Sequence, residues 1–132
     1  GLTVEVTMQS GQRQYETEGE PVTRHLAKYK RENEKPAYCL FVAPNINDAC
    51  KAHFYALHKL NIQYYGGTSS IVPLPLNIFI KMVEDSYNAT YVPEPRHIQR
   101  FFEHSNHLAN STENEVDWYN GITEKALNWL AE

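Results

Sequence analysis

Apolar and polar residues alternate where the chain begins. Leu2, Val4, Val6 and Met8 fall in one register, and Thr3, Glu5 and Thr7 in the other. A period of two is the spacing of a strand with one face buried, so the aliphatic row is expected on the core side and Glu5 on the opposite face. About ten polar residues follow without an apolar period. Glu20-Pro21 then predicts the start of a helix, because proline is best tolerated at the first helical position. Glu18 falls just ahead of that start. The helix is expected over about residues 20–33, with Val22, His25, Leu26 and Tyr29 as its inward stripe at i, i+3, i+4, i+7. Glu32-Asn33-Glu34-Lys35-Pro36 ends it, and Ala37 to Ala43 is a nearly continuous apolar run closed by Pro44. Such a run suits a central strand covered on both faces.

The pattern then returns to helical spacing. Asn47 is placed to cap a helix running to about Leu60, with Cys50, Phe54 and Leu57 buried and Ile46 just before the cap. Ile71 to Leu76 reads as a short strand whose two prolines, unable to donate to a ladder, put it at an edge. Helices are expected over about residues 77–86 (Ile78, Phe79, Met82 and Val83 inward), 94–109 (Ile98, Phe101, Phe102 and Leu108) and 113–131 (Val116, Tyr119, Ala126, Leu127 and Leu130). Thr112 and Glu115 have the spacing of a capping box for the last of these. The order predicts an α/β fold: a mixed central sheet flanked by helices, with a helical C-terminal part, residues 1–132 forming one domain.

Composition narrows the possibilities. A hydrophobic content of 42% with nine tyrosines fits a folded chain, and no apolar run approaches the roughly 20 residues of a membrane span. The first residues read as strand, not as a signal peptide. Cys39 and Cys50 both fall at inward positions, so two buried free thiols in a reducing cytoplasm are expected. A net charge of −4 is unfavourable for gripping nucleic acid, so any such grip must come largely from outside these residues. The basic residues Arg24, Lys28, Lys30, Arg31 and Lys35 fall on or just beyond the first helix, as a solvated face would. Gly66-Gly67-Thr68-Ser69-Ser70 is too short and too far from a Walker pattern to be a phosphate cradle. His104 and His107 are spaced as a metal pair without a third ligand and are expected on the surface. Asn88-Ala89-Thr90 is a glycosylation sequon by pattern only. The remaining chemistry is acidic. A strand-borne carboxylate, Glu5, and a second acid from the following turn, Glu18, are what an oxygen-ligand metal site for phosphoester hydrolysis requires.

The run Glu5-Val6-Thr7-Met8-Gln9-Ser10-Gly11, then Gln14 to Val22, then Arg24-His25-Leu26, resembles the cleavage domain of the AlwI family of restriction endonucleases. Leu40 to Pro44 and Asn47-Asp48 are similar to it as well, so the resemblance is specific over roughly residues 2–60. It implies a restriction-endonuclease-like fold of the PD-(D/E)XK type and a type IIS or nicking enzyme that hydrolyses DNA phosphodiesters with Mg2+ outside its recognition sequence. By the same resemblance Glu5 is the second acid and a metal ligand, and the Val6 main-chain carbonyl is a further ligand. Thr7 stands where the wider superfamily has lysine. Glu18 is a third acid that orients water or contacts the metal, and His25 hydrogen-bonds that acid from the helix. Glu16 and Glu20 compete with Glu18, Glu20 being better suited to capping. The implied partners are double-stranded DNA, a recognition domain or partner subunit, and a transient second copy for double-strand cleavage, in a bacterial cytoplasm. The family's first aspartate, expected on the strand before Glu5, is not among these residues, and the chain is therefore expected to be a piece of a longer protein. The rival expectation is an α/β unit without chemistry that serves as an interaction or dimerisation module.

Overall fold

The computed structural model describes residues 1–131. Strand β1 (Leu2–Val6) leads through a loop into α1 (Gly11–Gln14), a π-helical turn (Tyr15–Gly19) and α2 (Glu20–Asn33), which join end to end. There follow β2 (Tyr38–Ala43), α3 (Asp48–Lys59), a short 3-10 turn (Gln63–Tyr65), β3 (Ile71–Pro75), α4 (Leu76–Asn88), α5 (Pro95–Ser111) and α6 (Glu115–Ala126). The strands form one sheet in the order β1-β2-β3. Both pairings are parallel, with Glu5 beside Phe41 and Phe41 beside Pro73. The α/β class, the flanking helices and the helical C-terminal part are as expected, but the antiparallel component of a mixed sheet is not among the described strands.

β2 is central because its residues are apolar almost throughout, and Cys39 to Ala43 are all buried. β3 holds Pro73 and Pro75 at a sheet edge, where the missing amide donors cost no ladder bond. Right-handed crossovers that move in one direction across a parallel sheet put their helices on one face. Accordingly α2 and α3 share the face of Glu5 and Phe41, where Phe54 of α3 packs on Phe41 with ring centroids 5.2 Å apart. The opposite face takes α5, whose Phe102 stacks on Tyr38 at 4.9 Å, and α4, which packs on β2 and β3. α6 lies against α3 and α5, with Trp118 fully buried beside Tyr55 and His58.

Several expectations are corrected. The β1 strand is where it should be, but its faces are reversed. Leu2, Val4, Val6 and Met8 are 42, 48, 63 and 76% exposed, whereas Thr7 is buried and Thr3 and Glu5 are half-buried under α2. An alternating pattern says that two faces differ, not which of them a helix covers. Second, α2 has the expected bounds, Glu20–Asn33, but it continues without a break from α1 and the π turn, so that helix formation starts ten residues before Pro21. Proline within a helix removes a donor and crowds the carbonyl four residues back, and the wider π turn immediately ahead of it accommodates both. Third, α6 is capped by Asn114, whose side chain accepts from the Asp117 amide at 2.9 Å, while the Thr112 hydroxyl donates back to the Leu108 carbonyl. Its buried stripe is Trp118, Ile122 and Ala126, and Val116 and Leu127 are exposed. In α4 only Met82 of the expected stripe is buried. α3 matches expectation, with Asn47 accepting from the Ala49 amide at 2.9 Å and Cys50, Phe54 and Leu57 buried.

Candidate active site at the ends of two parallel strands

Ligands of parallel α/β sheets gather beyond the carboxyl ends of the strands. Here that end of β1 carries Glu5 and Thr7, two residues apart and therefore on one face. Glu5 is held from α2: its Oε1 lies 3.0 Å from His25 Nδ1, and its side chain keeps 33% exposure. The Thr7 hydroxyl donates to Glu18 Oε1 at 3.1 Å, and its oxygen accepts the Gln9 amide at 3.1 Å. Glu18 rides on the π turn and is half-buried, so the wide turn that accommodates Pro21 also delivers the second acid. Glu16 and Glu20 point to solvent, and Glu20 takes Arg24 Nε at 3.3 Å and the Tyr65 hydroxyl at 3.4 Å instead of capping the helix.

The four side chains singled out in the sequence thus form two bonded pairs, Glu5 with His25 and Thr7 with Glu18, with one change of partner. His25 was expected on the inward face of its helix, bonded to Glu18. It is exposed, at 54% of its side chain, and bonds Glu5. Val22, Thr23, Leu26 and Ala27 form the buried stripe, which rotates His25 to the flank of α2 that overlooks β1. The two acids are also felt from beneath. Burial pushes the Cys39 thiol up to about 12, with the Thr3 hydrogen bond opposing and the charge of Glu5 adding to the rise. Burial pushes Cys50 up to about 11, and the charge of Glu18 adds to it. Both thiols are therefore inert packing groups, as the sequence suggested.

The Val6 carbonyl is open. Thr7 N–H bonds the Val42 carbonyl at 3.0 Å, and in a trans peptide the preceding carbonyl points the opposite way, so Val6 C=O aims at the unpaired edge of β1. A carboxylate, an acid on the following turn and a free carbonyl are hard oxygen donors, which fits magnesium in kind. They do not make a complete set: among the described residues no three His, Cys, Asp or Glu side chains come together to hold an ion. Of the two histidines expected on the surface, His107 is exposed and His104 half-buried. Three contributors lacked a sequence signal. Gln14 is fully buried, Thr23 is buried with its hydroxyl donating to the Gly19 carbonyl at 2.9 Å, and His53 lies 3.4 Å from Thr23 with its pKa lowered chiefly by burial.

The fold is a parallel α/β sheet with Glu5 near the carboxyl end of its first strand, and the comparisons give it a family. Residues 1–82 match the model of the AlwI restriction endonucleases, and the chain belongs to that family. No curated protein matches it. Among solved structures, the small subunit (R.BspD6I2) of the heterodimeric restriction endonuclease R.BspD6I has the same fold, with a TM-score of 0.67 at 22% identity. That similarity covers 98% of this chain and 59% of the subunit, so the chain spans somewhat more than half of that protein's length.

Proposed function

We propose that these residues are the cleavage part of a magnesium-dependent DNA endonuclease of the type IIS or nicking kind, in which Glu5 is the carboxylate that holds the metal. The observation that carries this reading is the placing of two bonded pairs, Glu5 with His25 and Thr7 with Glu18, at the end of β1, in a chain whose family is the AlwI restriction endonucleases. Glu5, Glu18 and the Val6 carbonyl would hold Mg2+. When bound, the ion supplies fixed positive charge for the developing phosphoryl charge and lowers the pKa of its water. His25 orients the Glu5 carboxylate. Thr7 carries no charge, so its part is to aim Glu18, which is left to orient the attacking water.

The missing ligand is an acid on a strand laid along the open edge of β1. That edge is unpaired among the described residues, the Val6 carbonyl points to it, and the aliphatic row above it is exposed. The net charge of −4 agrees with recognition by a separate domain or subunit that brings this part to the backbone. A subunit arrangement is supported by the heterodimeric neighbour, and the two free buried thiols agree with a reducing compartment.

The incomplete ligand set favours one rival, an α/β unit that pairs with a catalytic chain without cutting DNA itself. Nicking by the full-length protein with Mg2+ decides between them. The expected result is that Glu5→Ala lowers the rate by at least about a hundredfold, that Glu18→Ala lowers it less, and that DNA affinity is retained in both. Equal nicking by parent and Glu5→Ala would hand the chemistry to the partner.

A further inference from the structure

Gln14 has no solvent exposure, yet its side-chain amide is saturated by backbone groups from two loops. Nε2 donates to the Gln9 carbonyl at 3.0 Å and to the Asn45 carbonyl at 2.8 Å, and Oε1 accepts the Asn47 amide at 2.8 Å. A buried amide is costly unless all its groups are paired, so this side chain fits only one arrangement of the two loops. Those loops leave the carboxyl ends of β1 and β2, on either side of the candidate site.

The bonds continue in both directions. Towards β1, the Gln9 amide donates to Thr7, which donates to Glu18. Because Gln9 N–H occupies an acceptor position of the Thr7 oxygen, the hydroxyl proton is turned towards the carboxylate. Towards β2, Asn47 caps α3 through the Ala49 amide.

We infer that Gln14 is the positioning residue of this site: by holding the Gln9 carbonyl it restrains the backbone on both sides of the Gln9 Cα, and so the Gln9 N–H that sets the Thr7 hydroxyl and, through it, the Glu18 carboxylate. It acts through those groups and is not itself catalytic. Its kinetic consequence rests on the nuclease reading above, whereas the orientation of Glu18 does not. Glutamate at this position sets a charged oxygen against two carbonyls, and methionine keeps the bulk but leaves all three backbone groups unpaired.

The test uses full-length Gln14→Glu and Gln14→Met, with Trp118→Phe as a control. Trp118 donates to the Ser105 carbonyl at 3.0 Å on α5, away from the site, so its loss perturbs the fold alone. Three quantities are read: exchange protection of the Gln9 amide with the carbon-13 shift of the Glu18 carboxylate, the Mg2+ concentration for half-maximal nicking, and KM for DNA. The Gln14 variants are expected to lose the protection, move the Glu18 resonance and raise the Mg2+ requirement about tenfold, with KM unchanged. Trp118→Phe is expected to do none of these at a comparable loss of Tm. A Glu18 resonance and Mg2+ requirement equal to the parent's overturn the inference, as does failure of both Gln14 variants to fold, which makes the amide a fold element only. A parent that does not nick sinks the nuclease reading, and the two spectroscopic signals then decide the role of Gln14 alone.

Discussion

Thr7 shows at a single residue how this site is tied together. Its hydroxyl joins the β1 loop to the π turn, so Thr7→Val leaves the Gln9 amide and one Glu18 oxygen without their partner. The expected cost is about 1–2 kcal/mol in urea unfolding, and Thr7→Ser should recover most of it. His58 makes a second prediction at this scale. Its ring lies buried against Trp118, with Nδ1 2.9 Å from the Phe54 carbonyl, and burial lowers its pKa to about 4. The unfolded chain therefore binds a proton more readily, and stability present above the unfolded pKa of about 6.5 is lost as pH falls towards 4. The loss from this residue is on the order of 3 kcal/mol, and a His58→Phe chain that folds should show a flatter stability profile over that window. Glu5, Thr7, Glu18 and His25 were singled out by a run of residues that carries a family resemblance, and the structure places them as two bonded pairs. The partner of His25 was not legible in that run, since its place on the flank of α2 depends on how far that helix is rotated by Val22, Leu26 and Ala27 packing inward.

Elements with strong internal patterns were read closely. β2 is apolar end to end, and α3 has a cap and a clean stripe, so both were found with their burial. The misreadings are of a different kind. The polar stretch after β1 has no apolar period because α1 and the π turn are mostly solvent-facing, with Gln14 and Gly19 the buried positions. The start of α6 offered two capping solutions, and the chain takes Asn114. Asn114→Ala should therefore cost about 1 kcal/mol in thermal or urea unfolding. Glu115→Ala should cost only a few tenths, through the helix dipole. The reverse order would restore the capping box of Thr112 and Glu115.

On the scale of the whole molecule, the sheet is asymmetric. One face of β1 lies under α2 and bears Glu5; the other presents an aliphatic row that continues into a groove of about 420 Å3 lined by Leu2, Tyr38, Ile98 and Phe102. An unpaired strand edge beside exposed aliphatics is adhesive. For the 132-residue chain, Val4→Lys with Val6→Lys should reduce hydrophobic-dye binding and self-association while leaving Tm within a few degrees; a collapse of Tm would mean that the row is already covered. In the full-length protein the same pair should weaken nicking, because the proposed strand along this edge brings the remaining metal ligand. The fold class followed from the order of strands and helices alone. The open edge could not be read that way, since it depends on which strands lie beside β1 and not on the pattern within it.

The central claim is that Glu5 holds a divalent ion at the end of β1. A crystal of the full-length protein soaked in Mn2+ and measured at the manganese absorption edge tests it most directly. The account predicts an anomalous peak about 2.1 Å from a Glu5 carboxylate oxygen and from the Val6 carbonyl, absent in Glu5→Ala. A manganese ion bound elsewhere, with Glu5 still engaged only by His25, would contradict it.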